Sequence, residues 1–301
     1  MPLELWTDFF DELQTVRGRA RNTVLAYRRD LELFEEYSKK HSSKQAAIDF
    51  EEFYIFMGKQ GLSARSQARL VSSLRTYYKF LERRGVKIPD LRKLRPPKVN
   101  AKLPEAITVS EFETLYLSCQ VENPLRTARN QITLLLLFGL GCRVSELIQL
   151  NMADFNATDG RLTVLGKGGK QRLVPLTSRL LREFSDYLEF VRPQLIGAKT
   201  SSVLINDRGN RPSRVDIWRW LSAWSKKAGF RNPISPHKFR HGCATQLLEA
   251  GADLRSIQML LGHSSIQTTQ IYTSVTQKNL RETIENNHPL SKISAGDDIK
   301  L

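Results

Sequence analysis

Apolar residues recur at helical spacing along most of the chain. After Asn22 and Thr23, Val24, Tyr27, Leu31 and Phe34 form one stripe, with Arg28, Arg29 and Glu32 off it. From Ser63 a second stripe runs through Leu70, Leu74, Tyr77 and Leu81, and Gly85 ends it. The other face carries Arg65 and Arg69, then Arg75, Lys79 and Arg83, in sets at i, i+4. Such a face is either simply solvated or an anion-binding surface. Pro89 to Pro104 is basic, contains Pro96-Pro97 and has little periodicity, which reads as a linker able to lie along a phosphate backbone. Thr108-Val109-Ser110-Glu111 has the form of a capping box. A mostly apolar helix is predicted at about Arg126 to Gly139. Alternation then replaces helical spacing. Leu162 to Leu165 and Arg172 to Leu176 read as strands joined by Gly166-Lys167-Gly168-Gly169-Lys170, a hairpin with a lysine near its tip. Helices resume past Ser178. Ile217, Trp220, Leu221 and Trp224 make a stripe, and Ser235-Pro236 places a cap residue before a proline at the first helical position.

The fold class that follows is mainly α: an all-helical amino-terminal domain, then an α-rich domain with a small β-hairpin or sheet. The 301 residues fit two domains. The longest apolar stretch, Ile132 to Leu140, is far short of the roughly 20 residues that span a bilayer, so a buried helix is expected and no membrane association. The start Met1-Pro2-Leu3-Glu4 does not resemble a signal peptide. Three cysteines without a CxxC pair argue against disulfides and a cysteine zinc site, and point to the cytoplasm.

Charge changes the picture. There are 46 Lys and Arg against 31 Asp and Glu, a net charge of +15. Residues 1–103 account for 21 and 13 of these, and residues 104–301 for 25 and 18, so both halves are basic. A polyanionic partner is implied, nucleic acid before a membrane surface.

Four clusters carry candidate chemistry: Arg143 in CRVSE, Lys167 in GKGGK, His237 to His241 in HKFRH, and His263 in LGHSS with Tyr272 in IYT. Each has an ordinary structural reading alone. Arg143 could be an ion-pair arginine of Glu146, and the glycine-lysine loop only a turn. His237 and His241 are spaced like a zinc pair, but Arg240 lies between them and no Glu follows His237. Together the clusters suit a phosphodiester. Guanidinium forks match phosphate oxygens and stay charged. A tyrosine hydroxyl can act as covalent nucleophile, and a lysine can protonate a leaving oxygen.

In their order, CRVSE, GKGGKQRLVPL, HKFRH and LGHSSIQTTQIYT closely resemble the tyrosine site-specific recombinases, the integrase family, and the two-domain plan is most similar to the Xer type. The resemblance implies a helical core-site DNA-binding domain at 1–98, a basic linker at 99–103 and a catalytic domain at 104–301 with a carboxy-terminal exchange helix. It places the family's catalytic set on Arg143, Lys167, His237, Arg240, His263 and the nucleophile Tyr272, with Glu146 and His241 in support. It implies strand cleavage and rejoining through a 3′-phosphotyrosine, without metal, ATP or other cofactor. It further implies duplex recombination sites gripped by both domains, and a homo- or hetero-tetramer with another recombinase on two sites. Chromosome or plasmid dimer resolution, with a DNA translocase as a further partner, is the implied role. A mobile-element integrase, a type IB topoisomerase and a catalytically silent DNA-binding protein are the alternatives. Arg65, Arg69, Arg75, Lys79, Lys98 and Lys102 are the DNA-binding candidates. Leu280 and Ile284, at i, i+4, are expected either to dock on a neighbouring protomer or to pack on their own domain.

Overall fold

A computed structural model describes residues 5–19, 21–41, 49–98, 106–195, 200–262 and 274–292. Lys102, His263 and Tyr272 lie outside the described residues, and for Lys167 the description extends only to its backbone. The chain divides into two compact units, Met1–Lys102 and Leu103–Leu301.

The first unit contains α1 (Trp6–Asp11), continued by a π turn, α2 (Arg21–His41), α3 (Phe50–Lys59) and α4 (Ala64–Glu82). Its core is aromatic. Phe9 meets Tyr77 edge-on at 5.0 Å and Phe34 meets Phe53 at 4.8 Å, geometries that suit the ring quadrupole. The two expected stripes face this core: Leu31 and Phe34 are wholly buried, as are Leu74 and Tyr77. Asp49 caps α3 and Ser63 caps α4 through side-chain oxygens, as residues of these types do at exposed helix starts.

The basic stretch after Gly85 is not a free strap throughout. Leu94 is wholly buried in the first core, Leu91 packs against it, and the Tyr54 hydroxyl donates to the Arg95 carbonyl. Apolar side chains spaced three apart within the prolines and lysines give this segment something to bury, which its lack of helical period concealed.

The second unit is built around α6 (Pro124–Gly139), whose residues from Ala128 to Gly139 are all buried. Around it lie α5 (Val109–Ser118), α7 (Val144–Leu147), α8 (Ser178–Asp186), α9 (Arg214–Lys227), α10 (Pro236–Glu249), α11 (Leu254–Leu261), α12 (Ser274–Asn287) and α13 (Pro289–Lys292). The capping box forms as expected: Glu111 N–H donates to Thr108 Oγ1 at 3.1 Å, and Thr108 N–H donates to the Glu111 carboxylate at 2.9 Å. Ser235 has N-cap backbone geometry but makes no side-chain cap bond. Its carbonyl accepts from Lys238 N–H instead.

The sheet is antiparallel, ordered β1 (Phe155–Asn156), β2 (Arg161–Leu165), β3 (Gln171–Pro175). β1 is too short to show alternation and was not legible in the sequence. The β2–β3 register sets Leu162 opposite Val174 and Val164 opposite Arg172. All four are buried, so Arg172 occupies a core-facing position.

Leu280 and Ile284 are buried in the unit's own core. The stripe considered for docking on a neighbouring protomer is therefore used internally. At the start of α8, Ser178 N–H donates to the Glu285 carboxylate at 2.8 Å. Among the described residues no helix is long and apolar enough to cross a membrane.

Candidate active site

Arg143 ends the turn after α6 and stands at the N-cap of α7, with extended backbone. Its own N–H donates to Glu146 Oε2 at 3.0 Å and its Nη1 to Glu146 Oε1 at 2.7 Å. The guanidinium remains about one-third exposed, whereas Glu146 is buried. Burial pushes the Glu146 carboxyl up. Arg172 first, and Arg143 after it, outweigh this and hold the carboxyl below its ordinary value. It is a buried anion between two cations.

Arg240 lies one turn into α10. Its Nη1 donates to the Gly141 carbonyl at 2.8 Å and its Nη2 to the Leu261 carbonyl at 2.6 Å. Burial lowers its pKa to about 10, with Arg143 and then Arg172 adding repulsion that Glu146 only partly relieves. Even so, the group stays charged at neutral pH. Three arginines thus share the field of one carboxylate, a preformed excess of positive charge suited to a phosphate whose oxygens gain charge during reaction.

His237 and His241 occupy the same face of α10 as Arg240, at i, i+3 and i+4 spacing. His237 is exposed and His241 half-buried. Phe239, on the opposite face, is wholly buried and holds α10 edge-on against Phe112 of α5. This division explains the HKFRH pattern: one apolar anchor on one face of α10, with the two histidines and Arg240 on the other.

The loop between β2 and β3 is a tight turn at Lys167–Gly169, with Gly168 and Gly169 at positive φ, closed by a bond from Gly166 N–H to the Lys170 carbonyl at 2.7 Å. The hairpin therefore carries Lys167 by a short, tied connection. Beside it, Arg172 sends Nη2 to Glu146 Oε2 at 2.8 Å and Nε to the Leu260 carbonyl at 2.7 Å. Gly262 caps α11 immediately before position 263.

The described candidates Arg143, Glu146 and Arg240 thus come together, with the Lys167 backbone on the adjoining hairpin. Arg172 and the carbonyls of Gly141, Leu260 and Leu261 were missed by sequence reasoning. A signal for Arg172 existed: it falls on the inward alternation of β3, where a charge needs a buried partner.

Among the DNA-binding candidates, Arg65, Lys79 and Lys98 are exposed. Arg69 is exposed as well, and it is also tied to the buried Asp30 by a two-pronged bond, 2.8 Å and 3.0 Å. Arg75 donates to the Leu91 carbonyl at 3.3 Å. No group of three His, Cys, Asp or Glu side chains placed to hold a metal occurs among the described residues. Burial pushes the thiols of Cys119, Cys142 and Cys243 up to about 12, which leaves them protonated and inert.

Comparison with known proteins agrees with this geometry. Residues 105–279 match the phage integrase family and residues 7–85 match the phage integrase N-terminal SAM-like domain, and the chain belongs to this family. A tyrosine recombinase XerD of Listeria innocua is 37% identical over 294 residues, covering 95% of this chain and 99% of its own. One of Shewanella oneidensis is 35% identical over 286 residues, covering 93% and 95%. In fold, the chain resembles the XerH site-specific recombinase bound to palindromic difH, with a TM-score of 0.67 at 24% identity and coverage of 92% and 83%. It also resembles lambda integrase residues 75–356 bound to DNA, with a TM-score of 0.67 at 16% identity and coverage of 98% and 100%. The protein is a tyrosine recombinase of the Xer type, and its reaction is site-specific recombination.

Proposed function

We propose that Tyr272 is the nucleophile and that Arg143, Arg240, His237, His263 and Lys167 serve it. The observation that carries this reading is the cluster of arginines around one buried carboxylate, with Arg143 partly open to solvent. The Tyr272 hydroxyl attacks the scissile phosphorus and passes its proton to a histidine of the set, His237 or His263. The bond from phosphorus to the 5′ oxygen breaks, and that oxygen takes a proton from Lys167 and leaves as a hydroxyl. The strand is left as a 3′-phosphotyrosine. A 5′-hydroxyl from the partner strand then attacks the adduct and releases Tyr272. One phosphodiester is exchanged for another, so the sum of steps needs no ATP. Arg143 and Arg240 bind the non-bridging oxygens, where a planar fork holds charge better than an ammonium. Glu146 and His241 support them.

Both units are basic, so both contact the duplex, the first through Arg65, Arg69, Lys79 and Lys98 as its exposed candidates. Relatives named XerD match nearly end to end, which favours resolution of chromosome or plasmid dimers in the cytoplasm over element integration. Lambda integrase forms a tetramer on a Holliday junction; by analogy four protomers, of one or two recombinases, act on two sites here.

The test is Tyr272→Phe, which removes only the hydroxyl. Duplex fragments that the protein retains from a genomic library supply the substrate. The variant is expected to bind them as the parent does and to yield no covalent adduct on a denaturing gel. An adduct that persists would place the nucleophile on another tyrosine.

A further inference from the structure

We infer that Arg172 is a positioning residue of the reaction: it keeps Arg143 available to the phosphate and locks the lysine hairpin to the end of α11. This rests on the assignment of Arg143, Lys167 and His263 made above. Arg172 is 6% exposed, so it does not itself reach for DNA. Its two described bonds run in different directions, to Glu146 on α7 and to the Leu260 carbonyl on α11. Its backbone belongs to β3, five residues after Lys167. One side chain thus joins three segments that each carry or adjoin a member of the proposed catalytic set.

The electrostatic consequence follows from Glu146. Its Oε1 takes Arg143 Nη1, and its Oε2 takes Arg172 Nη2 together with the Arg143 N–H. One negative charge is shared between two guanidinium groups, and Arg143 keeps part of its charge for a ligand. Without Arg172, the carboxylate becomes the private counter-ion of Arg143, and a phosphate must compete with it. The mechanical consequence follows from α11. Its last carbonyls, unsatisfied within the helix, are taken by Arg172 at Leu260 and by Arg240 at Leu261. A Cβ added at Gly262 would lie 3.1 Å from Arg172 Cδ, so the side chain rests directly on the residue before His263.

The experiment compares Arg172→Met, Arg172→Lys and Arg143→Ala in the full chain, each checked by thermal melting. It measures DNA binding and the rate of covalent adduct formation at saturating DNA. The substrates carry an ordinary scissile phosphate or a methylphosphonate, in which a neutral methyl group replaces one non-bridging oxygen and its charge. Arg172→Met is expected to bind DNA within about threefold of the parent and to cleave the phosphate on the order of 10²-fold more slowly, the cost of a misplaced catalytic group. On the methylphosphonate the deficit should shrink to about threefold, because that substrate asks less of Arg143. Arg172→Lys, which keeps a cation but cannot make both bonds, should fall between, and it carries the same comparison if Arg172→Met does not fold. Equal slowing on both substrates would mean that Arg172 does not act through Arg143 and would overturn the inference. Parent-like cleavage by Arg172→Met beside a slow Arg143→Ala would overturn it while leaving the site assignment intact. Parent-like cleavage by Arg143→Ala would instead remove the assignment on which it rests.

Discussion

His288 is wholly buried beside Cys243, with Nε2 3.6 Å from its Sγ. Burial pulls its pKa down to about 4, opposed only by a hydrogen bond to the Phe138 backbone. The Leu290 N–H donates to Nδ1 at 3.1 Å, so protonating that nitrogen would set two donors against each other. The native state therefore prefers the neutral ring. Between about pH 6.5 and pH 4 the unfolded chain binds a proton that the folded chain refuses, so stability falls as pH falls through this window and levels off below it. At about 1.4 kcal/mol per pH unit, the loss comes to about 3 kcal/mol. Urea unfolding at pH 7.5, 6.5, 5.5 and 4.5 checks it. His288→Gln should start less stable but lose less over this range; parallel pH profiles for the two proteins would show that the imidazole is not responsible.

Between elements, the tightest approach near the site is that of the turn after α6 to the start of α10 and the end of α11. Gly141 has φ +52°, and a Cβ there would lie 2.6 Å from Leu261 Cδ2 and 3.1 Å from Cys243 Sγ. Its carbonyl also receives Arg240. Gly141→Ala should cost about 1–3 kcal/mol from overpacking, beyond the strain of a positive φ. It should also slow adduct formation by moving Arg240. Gly85, at φ +74° with nothing within 4 Å of an added Cβ, isolates the strain. Gly85→Ala should cost only about 1 kcal/mol and leave cleavage unchanged. Equal losses of melting temperature in the two variants would mean that crowding at Gly141 contributes nothing.

For the whole molecule the leading quantity is charge. The excess of 15 positive charges is spread over both units, and binding to duplex DNA should weaken steeply with salt. Each phosphate neutralised adds about −0.9 to the slope of log K against log salt. Replacing Arg65 and Lys79 together by alanine should make that slope shallower by about 1.8 if each holds one phosphate, with little effect on melting, since both side chains are exposed. An unchanged slope would mean that this face of α4 does not grip the backbone. Arg69 is left in place because its bond to the buried Asp30 would add a stability loss to the comparison.

Local physics made much of this protein legible in one dimension. Helical stripes ending in Leu81 and Trp224, the Thr108–Glu111 capping box and the Leu162–Val174 hairpin were all readable, because each depends on residues within a few turns of one another. So was the family, because CRVSE, HKFRH and IYT keep fixed local spacing. Contacts across long sequence separations were not. That Arg69 answers Asp30, that Leu94 enters the first core, and that Leu280 and Ile284 enter their own depends on which surfaces meet. Arg172 shows the limit most plainly. Its alternation with Val174 points it inward, but the sequence does not say toward what. Only folding brings Glu146, 26 positions earlier, and the Leu260 carbonyl, 88 positions later, to the two sides of one guanidinium. A buried charge is tolerable only where such partners converge, and that convergence is decided by the tertiary structure.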